Sequence, residues 1–224
     1  MKQLILWVID EQHRAEQQIS EASVKKWMPD IETATIMVSN ESEGGGDPKL
    51  WYAKYITALT NSLQMGFHQI LFLDSDTVLL EPVYDIFNIL YAYDIVSTHA
   101  PARQTTDMPE SHGIPDAYCE LNTGVFGYRN TSQVRQLFDW WLEYYYAMHG
   151  ISGDNDQSAL RAAMWEQETS VWIMPPEYNF RFGFGGFAGS RVKILHGRSE
   201  NLPKLIEDVN KEKSMRTFQR GSLR

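Results

Sequence analysis

The stretch 70-ILFLDSDTVLL-80 runs four apolar residues straight into Asp74 and Asp76. Alternate residues on a strand share a side, so both carboxylates point one way and Ser75 points the other. Two like charges so close cannot both stay ionised in an apolar site unless a cation lies between them. A strand that ends at Leu73 removes the conflict. Ligands of α/β sheets collect beyond the carboxyl ends of the strands, so both aspartates would reach a cleft. Hard oxygen donors placed there suit Mn²⁺ or Mg²⁺. The plainer alternative is an exposed turn in which an aspartate caps the next helix.

Working outward, Leu4–Ile9 (LILWVI) reads as a buried strand, and Glu11–Trp27 as an amphipathic helix stopped by Pro29. Thr33–Val38 is a second strand, rich in β-branched residues. The glycines of SNESEGGGDP interrupt the chain, and Asp47 and Pro48 predict a helix start. That helix runs to about Gln64, and Gln69–Leu73 is the third strand. A short helix near Val83–Leu90 and a strand at Asp94–Thr98 follow. The polar, proline-bearing connection 99–118 is long enough to suggest function or disorder. Then come a strand in LNTGVFGY, a helix over Gln133–Met148, a turn (GISGDND) and a helix at about Gln157–Trp165. Val171–Met174 is a strand ended by two prolines, and VKILHG a last short strand. This alternation predicts an α/β fold with a largely parallel sheet: one domain over 1–210, then a basic tail over 211–224.

The net charge of −9 argues against non-specific nucleic-acid binding. The charge is uneven: Lys211–Arg224 holds five basic residues and one acidic one. Such a tail fits either weak contact with anionic lipid or phosphate, or a solvated segment without a partner. The single cysteine, Cys119, excludes an intramolecular disulfide framework. The apolar run in MKQLILWVIDEQ is too short for a signal peptide, and no stretch approaches the ~20 apolar residues of a membrane span. A cytoplasmic protein is the expectation.

Two families place paired aspartates after an apolar strand. In the haloacid-dehalogenase-like phosphatases, Asp74 would be the nucleophile. That class needs a downstream lysine, and none lies between Lys54 and Lys193. The chain more closely resembles the nucleotide-sugar glycosyltransferases of GT-A fold, family 8 and its relatives. Asp74-Ser75-Asp76 looks like their Asp-x-Asp motif. ELNTGVFGYRN looks like their donor-sugar segment, and DNDQSALR like their Asp-Gln pair. ILHG resembles their third metal ligand, and AKYITALTNS carries Lys54 about twenty positions before the motif. The five elements keep their order over residues 50–198.

The resemblance implies a GT-A (Rossmann-like) fold, with a mixed, mostly parallel sheet flanked by helices. It implies a nucleoside diphosphate-sugar donor and a glycan or other hydroxyl acceptor. Mn²⁺ or Mg²⁺ would be held by Asp74, Asp76 and His196, with Lys54 as a further positive charge at the diphosphate. Ser75, Asn122, Thr123 and Gly124 would bind the donor, and Val8, Ile9 and Asp10 its nucleoside. Trp51 and Tyr52 could stack on the base or merely pack a helix. Gln157 would stand beside the reacting carbon of a retaining enzyme, with Asp156 on the donor sugar. The rival is an inverting enzyme with Asp154 or Asp156 as general base. Arg103 and His112 would face the acceptor, and the loop FRFGFGGFAG would close over the donor. A non-catalytic nucleotide-sugar-binding relative is a further alternative.

Overall fold

The computed structural model describes residues 1–39, 51–101, 113–148, 156–212 and 214–220. Asp47, Pro48, Arg103, His112, Asp154 and the last four residues lie outside that set.

The central sheet has six strands: β1 (Gln3–Ile9), β2 (Glu32–Met37), β3 (Gln69–Leu73), β5 (Ile95–His99), β6 (Leu121–Arg129) and β7 (Val171–Ile173), in the order β2-β1-β3-β6-β5-β7. Only β6 runs against its neighbours. The mixed, mostly parallel sheet of the expected fold is therefore present. The apolar runs of β1 and β3 follow from burial on both faces. Leu4, Leu6, Val8, Ile70 and Phe72 pack against α2 (Trp51–Ser62), α4 (Ser132–Met148) and α5 (Asp156–Glu166). Their neighbours Ile5, Trp7, Ile9, Leu71 and Leu73 pack on the other face against α1 (Arg14–Trp27) and α3 (Tyr84–Ile89). One residue of slip would exchange the two cores, so register is tightly set.

The reversed strand is what assembles the cleft. Because β6 is antiparallel, its first residues lie at the carboxyl ends of β1 and β3. Leu73 pairs with Val125, and the Asp74 N–H donates to the Gly124 carbonyl at 2.8 Å. A bulge in β5 at Ser97 faces this point, and the Ser97 hydroxyl donates to the Asn122 carbonyl at 2.6 Å.

A second unit covers one end of the cleft. Strand β4 (Thr77–Leu79) pairs antiparallel with β9 (Ile194–His196), Thr77 opposite His196. Helix α1 carries β4: Ser23 Oγ accepts from the Leu79 N–H at 2.9 Å. The Trp7 indole donates to Ser20 Oγ at 3.0 Å, and that hydroxyl lies 3.1 Å from Thr77 Oγ1. The buried serines of α1 are thus satisfied across three elements.

Among the described residues, three strands and one α-helix lie beyond the sequence expectation: β4, β8 (Gly186–Ala188), α6 (Leu202–Val209) and β10 (Arg216–Phe218). Helix α6 had a legible start, since Asn201 accepts from the Lys204 N–H and Pro203 sits in the first turn. Part of the segment set apart as a basic tail is folded: β10 pairs antiparallel with β8. The approach is close at Gly185 (φ +76°), where a Cβ would lie 2.9 Å from the Phe218 carbonyl and the Arg220 amide. Phe218 sets its ring 4.9 Å from that of Phe180. Phe218→Ala is expected to cost about 1–2 kcal/mol, given a half-buried ring. Unchanged thermal unfolding would show that β10 adds nothing to the core. Among the described residues, no helix is long and apolar enough to cross a membrane.

Candidate active site

A cavity of about 380 Å³ opens at the carboxyl ends of β1 and β3. Of the residues expected there, Val8, Ile9, Trp51, Tyr52, Asp74, Ser75, Asp76, Asn122, Thr123, Gly124, Asp156, Gln157 and His196 line its wall. Two do not. Asp10 is buried beneath the wall (3% exposed) and caps the turn that follows β1, accepting from the His13 amide at 3.1 Å and His13 Nδ1 at 2.5 Å. The side chain that lines the cavity at this turn is His13. Lys54 projects elsewhere on α2, and its Nζ donates to the Ser39 carbonyl at 2.6 Å. The cations in the wall are instead Arg181 and Arg198, which no spacing rule singled out.

Asp74, Asp76 and His196 come together at one point. One donor atom from each lies within 4.8 Å of the others. His196 Nε2 is 3.2 Å from Asp74 Oδ2 and 3.3 Å from Asp76 Oδ1. The imidazole is held from behind. His196 Nδ1 meets Asn179 Oδ1 at 2.7 Å, while Asn179 Nδ2 donates to Asn122 Oδ1 at 2.8 Å. Asn122 Oδ1 also accepts from the Gly124 amide at 3.1 Å. Because Asn179 donates to Asn122, its oxygen faces the histidine, which then donates from Nδ1 and turns Nε2 toward Asp74, Asp76 and Arg181 Nη1, the last at 3.2 Å. The sequence reading missed Asn179. Its one signal was its place two residues before Arg181 in the aromatic loop.

The electrostatics fit a cation. Burial works against charge at Asp76, but the hydrogen bond with His196 and the charges of His196, Arg198 and Arg181 outweigh it. They hold the carboxyl at about 2. Burial also opposes charge at His196, and its hydrogen bonds to Asp74 and Asp76 overcome this and raise its pKa. His196 and the two carboxylates thus face one another across the place that a metal ion could take. Gly124 leaves that place open: a Cβ there would lie 2.1 Å from His196 Cε1 and 2.4 Å from Asp74 Oδ2. Two carboxylates and an oriented imidazole on an open space are a chemically sound divalent-cation set.

The start of α5 supplies another wall. The Trp141 indole on α4 donates to the Asp156 carbonyl at 2.8 Å and so fixes that turn. Burial pushes the Asp156 carboxyl up to about 7, a hydrogen bond with Thr123 partly offsets this, and the charge of Asp74 adds to it. Its Oδ2 is buried without a hydrogen-bond partner among the described residues. Tyr55, also in the wall, has a buried hydroxyl in the same condition. Buried polar atoms of this kind, aimed at a cavity, are suited to a polyhydroxylated ligand.

Comparison with known proteins agrees with this geometry. A family profile described as nucleotide-diphospho-sugar transferase matches residues 10–198, most of the chain. Among solved structures, the galactosyltransferase LgtC, crystallised with donor and acceptor sugar analogues, superposes with a TM-score of 0.60. It is 15% identical, over 92% of this chain and 91% of that one, a likeness that speaks to fold. No curated protein matches the sequence. The motif order along residues 50–198, the reversed β6 in a mostly parallel sheet and the profile match over 10–198 converge: the chain belongs to the nucleotide-diphospho-sugar transferase family and is a glycosyltransferase of GT-A fold.

Proposed function

We propose that the protein transfers a sugar from a nucleoside diphosphate-sugar to a hydroxyl of a glycan or similar acceptor, that it depends on Mn²⁺, and that it retains anomeric configuration. The observation that carries this reading is the Asp74, Asp76 and His196 cluster in the wall shared with Asn122, Asp156 and Gln157. The imidazole favours Mn²⁺ over Mg²⁺, which prefers oxygen ligands. A divalent ion held by these three residues supplies Lewis-acid stabilisation of the leaving diphosphate.

The chain's own residues do the rest. Arg181 and Arg198 bring positive charge to the diphosphate end. Asp156 and Asn122 orient sugar hydroxyls; the Asn122 amide NH₂ remains for this, since its oxygen is used by Gly124 and Asn179. Retention is supported by what lines the reacting end among the described residues, which do not include the rival base Asp154. Gln157 is an uncharged amide and a poor base. Asp74 and Asp76 belong to the cation set, and Asp156, 1% exposed, is too enclosed to take a proton from an acceptor.

Incubation with Mn²⁺ and a panel of nucleotide sugars should release free nucleoside diphosphate from one donor. The anomeric configuration of the product, read by NMR, should match that of the donor; inversion would overturn retention. Phosphomonoester hydrolysis through an aspartyl-phosphate at Asp74 would overturn the whole proposal, and donor binding without turnover would mean a non-catalytic relative. Asp76→Asn should weaken Mn²⁺ at least about 100-fold, since even the partners behind metal ligands are worth 10- to 100-fold. Unchanged Mn²⁺ affinity with an intact fold refutes the ligand assignment.

A further inference from the structure

Arg198 borders two hollows. One is the main cavity. The other is a recess of about 120 Å³ to which Glu16, Ser75 and Asp76 contribute one side and Ile19, Val78 and Leu202 an apolar one. A long side chain at such a border has two places to lie, and its own side chain is 61% exposed. What holds it is Glu16, in the first turn of α1. Arg198 Nε donates to Glu16 Oε1 at 2.6 Å and Nη2 to Oε2 at 2.9 Å. The third nitrogen, Nη1, is left 3.8 Å from Asp76 Oδ2. Glu16 also accepts from Ser75 Oγ, between the two aspartates, at 3.2 Å.

As a stabilising ion pair this contact is worth little, because half-exposed pairs contribute about 0–1 kcal/mol. Its geometric effect is larger. A two-point fork fixes the plane of the guanidinium, not just its position. With Nε and Nη2 taken, the remaining N–H edge stays beside the carboxylates of the cation set. Loss of the fork would free the side chain to enter the recess among Ile19, Val78 and Leu202, away from the cavity.

We propose that Glu16 is a positioning residue for transfer: it presents the Arg198 guanidinium to the donor diphosphate. This rests on the function proposed above. It assigns a task to a residue that lies outside the cavity wall and that no motif contains.

The test is a double-mutant cycle on the full chain, with Mn²⁺-dependent binding of inorganic pyrophosphate followed by calorimetry. Pyrophosphate makes the result independent of the base and sugar. Arg198→Ala should weaken pyrophosphate about tenfold and Glu16→Ala about three- to tenfold, as expected of a charge-assisted contact and its support. In the Arg198→Ala background, Glu16→Ala should have almost no further effect. The Glu16→Ala protein should keep its thermal midpoint, bind Mn²⁺ alone within about twofold of wild type, and show a raised donor KM at nearly unchanged kcat. Additive losses, or an equal loss of Mn²⁺ binding alone, would overturn the proposal, because Glu16 would then act on the fold or the metal loop. If the wild-type protein binds Mn²⁺ but not pyrophosphate, the functional reading itself falls. If it binds both and the cycle is additive, only the role of Glu16 falls.

Discussion

Gly124→Ala should disable the proposed cation site while leaving most of the fold in place. The glycine is not needed for an unusual backbone angle, since it is not among the glycines with positive φ. It is needed for space. An added Cβ would lie 2.1 Å from His196 Cε1, 2.4 Å from Asp74 Oδ2 and 2.9 Å from His196 Nε2. His196 cannot retreat, being 2% exposed and tied to Asn179 and to the β4–β9 pairing. The Asp74 carboxylate can turn toward solvent, but then it ceases to be a ligand. The cost to stability should be about 1–3 kcal/mol, typical of overpacking by one methyl. The cost to Mn²⁺ affinity should be at least about 100-fold, more than the loss of a partner behind a ligand. Titration of Mn²⁺ by electron paramagnetic resonance, beside a thermal melt, separates the two. A folded Gly124→Ala protein with wild-type Mn²⁺ affinity would falsify the assigned site.

Asp156→Asn should make the protein more stable and less active. In the folded chain the Asp156 carboxyl is pushed up to about 7 from the usual 3.8, chiefly by burial. Between those values the folded state holds a proton that the unfolded state has lost. Stability therefore falls as pH rises from about 4 to about 7 and levels off above, by at most roughly 4 kcal/mol. Asparagine keeps an acceptor for Thr123 and carries no charge, so the variant should lose this slope. In metal-free buffer at pH 8 its midpoint should exceed that of wild type by several degrees. The two proteins should converge near pH 4. Under the proposed function transfer should drop about 100-fold, because the charged acceptor assigned to donor hydroxyls is gone. Parallel stability curves for the two proteins between pH 4 and 8 would mean that Asp156 is not strained by burial. The opposition of stability and activity is what a buried, functional carboxylate entails.

Legibility in sequence followed the range of the physics involved. Strands β1 and β3 are legible because both faces are buried, which demands unbroken apolar runs such as LILWVI and ILFL. The end of β3 at Leu73 is legible because two carboxylates cannot follow it into a core. Asn122, Gly124, Asp156 and His196, singled out by their order along the chain, line one cavity. At Gly124 a Cβ would meet His196 and Asp74, contacts that its place in the sequence did not announce.

What stayed hidden depends on contacts between elements far apart in the chain. A lysine at the right count before the motif looks like a phosphate ligand, yet Lys54 points to Ser39, because the helix face it occupies is set by how α2 packs on the sheet. Arg198 supplies one of the cavity's cations because β9 pairs with β4 and carries the residues after it to Asp76, and Arg181 the other because Phe180 bridges to Leu195 of β9. Asp10, at the end of β1, looked like a nucleoside contact but is consumed as a cap, and His13 takes the cavity wall. Residues 70–73 dictate their own strand through local burial. The partners that make Asp74 and Asp76 tolerable lie more than a hundred residues on, at Asn179, Arg181, His196 and Arg198. Their placement is a matter of strand pairing and helix packing, which no local pattern encodes.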